Sequence, residues 1–106
     1  MPKAKKAVLA DAVKVDPKHY KVEVDNDRVR VVRINYGPRE KSVMHGHPAS
    51  VTIFLNDGEF RFTYPDGKTE TIKGKRGQAL FLDAFQHLPE NLSGKPFEAI
   101  IVELKG

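Results

Sequence analysis

Apolar and polar residues alternate over Tyr20-Lys21-Val22-Glu23-Val24, which predicts a half-buried β-strand. Asp25-Asn26-Asp27 is a turn cluster, after which Val29-Arg30-Val31-Val32-Arg33-Ile34 resumes as a strand. Gly37-Pro38 breaks the chain, and Arg39-Glu40-Lys41-Ser42 is a polar connection into Val43-Met44-His45. Val51-Thr52-Ile53-Phe54-Leu55 is a β-branched strand closed by the turn signal Asn56-Asp57-Gly58. Glu59 to Tyr64 alternates again, Pro65-Asp66-Gly67 turns it back, and Thr69-Glu70-Thr71-Ile72 follows. Beyond Gly74-Lys75-Arg76-Gly77 comes the apolar run Ala79-Leu80-Phe81-Leu82, then an expected loop from Asp83 to the region of His87. Phe97 to Leu104 is the last strand. Gly37, Gly58, Gly67 and Gly77 read as turn glycines. About eight short, evenly spaced strands with no amphipathic helix predict an all-β sandwich or barrel. Residues 1–18 read as an N-terminal arm of weak pattern, closing at Asp16-Pro17, and residues 19–106 as a single barrel domain.

Composition narrows the chemistry more than the fold. At 106 residues the chain supports one core, and 40% apolar with 30% charged residues is an ordinary globular balance. With no cysteine, disulfides and thiolate metal sites are excluded, so any metal must be held by nitrogen and oxygen. The net charge of +4 owes much to Lys3, Lys5 and Lys6, while the remaining cations interleave with acids. No basic stripe with interleaved aromatics is present, so the excess reads as a solvated surface and a basic tail, not as a nucleic-acid interface. Ala7-Val8-Leu9-Ala10 is cut short by Asp11, too short for a secretory apolar region, and no later run approaches a membrane span. The expectation is a cytoplasmic protein without membrane or nucleic-acid partners.

The chemistry-bearing stretch is His45-Gly46-His47. Side chains at i and i+2 share a face on a strand, about 6.6–7 Å apart, and do not on a helix. Two imidazoles can therefore converge on one ion from an extended segment. His87 follows 40 residues after His47 (87 − 47), room for the chain to leave through hairpins and return beside the pair. The three define a candidate metal site inside a small β-barrel. His19, alone on its strand, reads as a satisfied or surface residue. Phe60, Phe62 and Phe81 are candidates to line a pocket, with core packing the plainer reading.

With Gly37, His45, His47 and Gly58 in the first motif and Gly77, His87 and Asn91 in the second, the chain resembles the small single-domain cupins of the RmlC-like kind over roughly Val22 to Leu104. That resemblance implies a double-stranded β-helix, or jelly-roll barrel. The sequence departs from the pattern twice. Val51 stands at the position read as that of the usual glutamate ligand, and Asp83-Ala84-Phe85 replaces the usual Pro-x-Gly turn. The carboxylate-free set resembles the diketone-cleaving and thiol dioxygenases and implies a divalent transition metal at His45, His47 and His87. Fe(II) is favoured, with zinc, nickel, manganese or copper also chemically suitable. Three neutral imidazoles leave the ion its +2 charge and open positions, which favours a small anionic or chelating, diketone-like substrate.

The expected function is thus a metal-binding cupin with dioxygenase chemistry; the alternative is a non-catalytic binding or sensing cupin with a degenerate site. A sugar-type isomerase would need a positioned base, and only His19 remains for that role. Asn91 is a candidate to orient His87 or to make a turn, and Asp83 and Glu59 are the nearest candidates for a substitute carboxylate or base, with solvated loop acids the favoured reading. A small-molecule ligand and, by analogy with small cupins that pair through strand edges, a homodimer complete the expectation.

Overall fold

The computed structural model describes residues 10–106. The basic residues Lys3, Lys5 and Lys6 and the run Ala7-Val8-Leu9 therefore lie outside the described residues. A one-turn helix α1 (Ala12–Val15) precedes nine strands: β1 (Tyr20–Asp25), β2 (Val29–Tyr36), β3 (His45–His47), β4 (Ser50–Phe54), β5 (Gly58–Thr63), β6 (Thr69–Gly74), β7 (Ala79–Leu82), β8 (Phe85–Asn91) and β9 (Phe97–Leu104). The strands form a five-stranded sheet in the order β1-β2-β9-β4-β7 and a four-stranded sheet in the order β3-β8-β5-β6. Every strand pair is antiparallel. The fold is the all-β double-stranded β-helix expected of the sequence.

Strand alternation positions the core. β2 and β9 pair without interruption from Val29↔Leu104 to Tyr36↔Phe97. Val32, Ile34 and Tyr36 are thereby turned inward with Phe97, Ala99 and Ile101, and all six are buried. Phe54 and Phe60 join them from β4 and β5. Half-burial of β1 holds only at Tyr20, which is buried, whereas Val22 and Val24 are exposed. β1 is an edge strand, and its register shifts between Val22 and Val24, a bulge that changes the phase of the alternation.

The outer face of the same sheet carries an apolar row. Val24, Val31, Val102, Val51 and Phe81 are successive cross-strand partners and form a row over all five strands. At one end of that row Phe81 is 58% exposed, so of the three phenylalanines considered for a pocket this one lies outside.

Gly67 and Gly77 occupy turns at φ +89° and +85°, where an L side chain is strained. Gly58 has another reason. It faces Gly74 across β5 and β6, and a Cβ would stand 2.4 Å from the Phe97 ring at Gly58 and 2.3 Å from the Phe54 ring at Gly74. These two positions are bare so that core rings can lie against the strands.

Within the expected arm, Asp11 caps α1 by accepting from the Val13 N–H, and Ala12 is buried in the core. The Gly46 N–H donates to the Ala10 carbonyl at 2.7 Å, and Asp11 bridges Gly46, so this segment covers the edge of β3. Among the described residues no helix is long and apolar enough to cross a membrane.

Candidate metal centre

The His-x-His pair lies on β3 as its spacing predicts. The strand's partner differs from expectation, for His87 is on β8 and not on a loop, directly opposite His45. Pro89 and Asn91 hide this strand in the sequence, because both are poor strand formers. Alternation nevertheless holds, since His87, Pro89 and Asn91 are buried while Gln86, Leu88 and Glu90 are half-buried. A direct cross-strand pair brings two side chains together on one face, and the third follows from the i, i+2 spacing. The ring centroids of His45, His47 and His87 are separated by 4.8 to 5.3 Å, and one nitrogen from each lies within 4.8 Å of the others. All three histidines are buried.

Hydrogen bonding fixes which nitrogen His45 and His47 offer. His47 Nδ1 is 3.0 Å from a Glu103 carboxylate oxygen, and His45 Nδ1 donates to the Val43 carbonyl at 2.8 Å. A ring that donates through Nδ1 keeps its lone pair on Nε2. His45 Nε2 and both nitrogens of His87 are buried without a partner. Such orphaned groups cost free energy unless something binds them. Burial pushes His45 down to about 4, reinforced by the neighbouring His47 and opposed by the bond to Val43. Burial, then His47 and His45, pushes His87 well below the usual imidazole range. These rings are neutral near pH 7, as metal ligation requires. Buried, unpartnered imidazole nitrogens that converge without a thiolate fit a divalent transition ion. His45, His47 and His87 would hold it.

Glu103 is the residue that sequence reading missed. It is buried on β9, in phase with Ala99 and Ile101, and an acid in an otherwise apolar inward row was the available signal. Its carboxylate also accepts from Arg30 Nε at 2.8 Å, and Arg30 reaches both oxygens of Asp11 at 2.8 and 3.0 Å. Arg30 holds the Asp11 carboxyl below the usual range, and Asp11 and Glu103 together raise the already basic guanidinium.

A second chain of contacts lies behind His45. The Ser42 hydroxyl, 3.3 Å from His45 Nδ1, donates to Asp16. Asp16 also faces His19 Nδ1 at 2.7 Å, while His19 Nε2 lies 2.9 Å from Glu40. His19 stacks on Tyr36 at 4.1 Å, so it is the satisfied histidine expected and no free base. The Gly37 N–H, Lys18 and His19 hold the Glu40 carboxyl down at about 2. The Tyr20 and Tyr36 hydroxyls bond each other at 2.7 Å, and burial raises both above the usual phenol range.

The structure also places the other residues singled out in the sequence. Val51 points to the outer face, and the neighbouring Thr52 lines the cavity instead, because successive strand residues alternate. Asp83 is exposed, and neither it nor Glu59 belongs to the histidine cluster. Asn91 makes no bond to His87; its side chain donates to the Gly37 and Lys95 carbonyls and accepts from the Ser93 N–H, which ties loops together. Phe60 and Phe62, by contrast, do line the cavity beside the histidines, with Phe54, Phe85 and Ile72. This cavity has a volume of about 60 Å³, room for a few water-sized groups.

No protein-family model matches the sequence. No curated protein matches it. Solved structures do. A cupin domain from Bordetella pertussis Tohama I is 25% identical, with 82% of this chain and 92% of that one covered at a TM-score of 0.76. An RmlC-like cupin family protein from Methanocaldococcus jannaschii is 21% identical over 85% of this chain and 84% of that one, at 0.63. The polyketide cyclase RemF from Streptomyces resistomycificus is 21% identical over 93% and 75%, at 0.60. By its double-stranded β-helix the chain has the fold of the RmlC-like cupins it is similar to, and within that fold His45, His47 and His87 form a group that could hold a metal ion.

Proposed function

We propose that this protein is a divalent-metal enzyme, with Fe(II) the favoured ion, that acts as a dioxygenase on a small chelating substrate of the 1,3-diketone type. The observation that carries the reading is the buried, unpartnered set of imidazole nitrogens beside an apolar cavity. The ion, when bound, supplies Lewis acidity toward a chelating pair of oxygens and the redox capacity that dioxygen chemistry needs. The chain supplies the rest. Glu103 and the Val43 carbonyl orient His47 and His45 through their Nδ1 atoms. Phe60, Phe62 and Phe85 exclude water from the reacting volume and pack against the substrate's alkyl groups. By mass balance, cleaving one bond of the central carbon while keeping both oxygen atoms gives a carboxylic acid and a 2-oxoaldehyde.

The test begins with metal content after reconstitution with Fe(II), Zn(II), Ni(II) and Mn(II), comparing the wild type with His47→Ala. Near-stoichiometric metal that the variant loses, followed by oxygen uptake with a diketone, supports the proposal. Stoichiometric metal without oxygen uptake leaves a binding or sensing cupin, and trace metal in both proteins overturns the metal centre. A homodimer is part of the proposal, supported by the apolar row from Val24 to Phe81 on an open sheet face. Sedimentation of the wild type and Phe81→Glu tests it, with a monomeric wild type the overturning result.

A further inference from the structure

The cavity beside the histidines adjoins an outer chamber of about 310 Å³. The two share Thr52, Phe54, Phe62, Ile72, Leu82 and Phe85 as common lining, which places the chamber on the approach to His47 and His87. Glu70 and Asp83 are the charged residues that line the chamber, and no lysine or arginine lines either part. Glu70 accepts a hydrogen bond from the Tyr64 hydroxyl at 2.7 Å, which holds its carboxylate beside the approach, and Asp83 stands exposed at the end of β7. Deeper in, the shared lining is apolar but for the Thr52 hydroxyl, and the inner cavity is lined by His87 with its unpartnered, buried nitrogens.

We propose that this approach is charge-selective: it admits uncharged chelators and rejects those that carry a carboxylate apart from the chelating unit, with Asp83 and Glu70 as specificity-determining residues. The inference rests on the reading of the histidines as a metal centre. A ligand's negative charge is tolerated there only where it forms, on the chelating oxygens. A second carboxylate must either lose its hydration among Phe54, Phe62 and Phe85, with no lysine or arginine to pair with, or stop between two like charges at the rim. Amino-acid-like substrates, thiols among them, are disfavoured for the same reason.

Two probes share a seven-carbon skeleton and the same chelating unit, so their attraction to the ion is common to both. Heptane-2,4-dione is neutral, and 4,6-dioxoheptanoate carries a carboxylate at the far end. Titration calorimetry on Zn(II)-loaded protein measures binding without turnover. The expected result is that the neutral probe binds about 100-fold more tightly or better. In the double variant Asp83→Asn/Glu70→Gln that ratio falls several-fold, and in Asp83→Lys further, while Asp27→Asn, across the sheet beside β1, leaves it as it was. Equal affinities for the two probes, or a ratio that the rim variants do not move, overturn the inference while the metal centre stands. Failure of the protein to take up zinc overturns the centre itself and this inference with it, and zinc uptake with neither probe bound overturns the substrate class.

Discussion

The Glu103 carboxylate, on the five-stranded sheet, meets His47 Nδ1, on the four-stranded sheet, at 3.0 Å, so one hydrogen bond joins the two layers at the candidate ligand set. Glu103 is paired from the other side by Arg30, which makes it a fixed, charged acceptor. In Glu103→Gln the shape is kept and the charge is lost. Metal affinity should fall by roughly 10- to 100-fold, the usual effect of removing a ligand's outer partner. Glu103→Ala should also cost the fold about 3–5 kcal/mol, because Arg30 is left partly buried with its charge less compensated. Competition against a chromophoric chelator reads the first effect and urea unfolding the second. Wild-type affinity in a folded Glu103→Gln protein would show that the bond serves only to join the sheets.

Stability of the metal-free protein should fall with acid in a defined window. The His45 imidazole is pushed down to about 4 in the fold, from 6.5 when free, by burial above all. Between those values the unfolded chain takes up a proton that the folded one refuses. Stability is therefore complete above about pH 6.5 and is lost as pH falls toward 4. The His45 share of the loss is roughly 3 kcal/mol, and His87, shifted in the same direction, adds to it. Urea midpoints at pH 8, 6.5, 5 and 4 measure this, with His45→Asn expected to flatten the curve. A wild-type midpoint that does not move between pH 6.5 and 4.5 would contradict it.

Alternation made most of the fold legible, because a strand with one buried face writes its phase into the sequence. The β9 run from Phe97 to Leu104 is read correctly end to end for that reason. It fails where the phase is broken or disguised. The β1 bulge sets Val24 opposite the outward Val31, Val22 lies exposed on the edge strand although in phase with Tyr20, and Pro89 and Asn91 disguise β8 as a loop. At the candidate site the three histidines were legible from spacing alone. Val51 was misassigned because motif spacing counts residues, whereas the pocket is lined by those that face it, and a step of one exchanges Val51 for Thr52. Glu103 left only the trace of an acid in an inward row, and its partners were not legible because it meets His47 across 56 residues and Arg30 across 73, which no local pattern records.

Gly74 and Gly94 are alike in sequence terms and opposite in structural ones. A Cβ at Gly74 would stand 2.3 Å from the Phe54 ring, while one at Gly94 meets nothing within 4 Å. Gly74→Ala should destabilise by about 1–3 kcal/mol, as expected when a well-packed ring is displaced. Gly94→Ala should be within about 0.5 kcal/mol of wild type, as for open surface positions. Since Phe54 lines the cavity, Gly74→Ala should also reduce binding of the neutral dione. Thermal unfolding of the two variants side by side measures the contrast, and equal midpoints would remove the close-approach explanation for Gly74.

His87 differs from the other two histidines in having no hydrogen bond to fix its ring. The edges of Phe62 at 4.3 Å and Phe85 at 4.4 Å hold it instead. Orientation by packing predicts that Phe62→Ala lowers metal affinity by about tenfold, since a ligand ring free to rotate must be ordered again on binding. Asn91 gives the opposite forecast. It is wholly buried and its three hydrogen bonds run to Gly37, Ser93 and Lys95, so Asn91→Ala should cost roughly 1–3 kcal/mol of stability and leave the metal affinity of the folded protein at its wild-type value. Unfolding and chelator competition on both variants separate the two roles. If Asn91→Ala weakens metal binding as much as Phe62→Ala does, then the asparagine orients His87 through the β8 backbone, and the aromatic edges are packing alone.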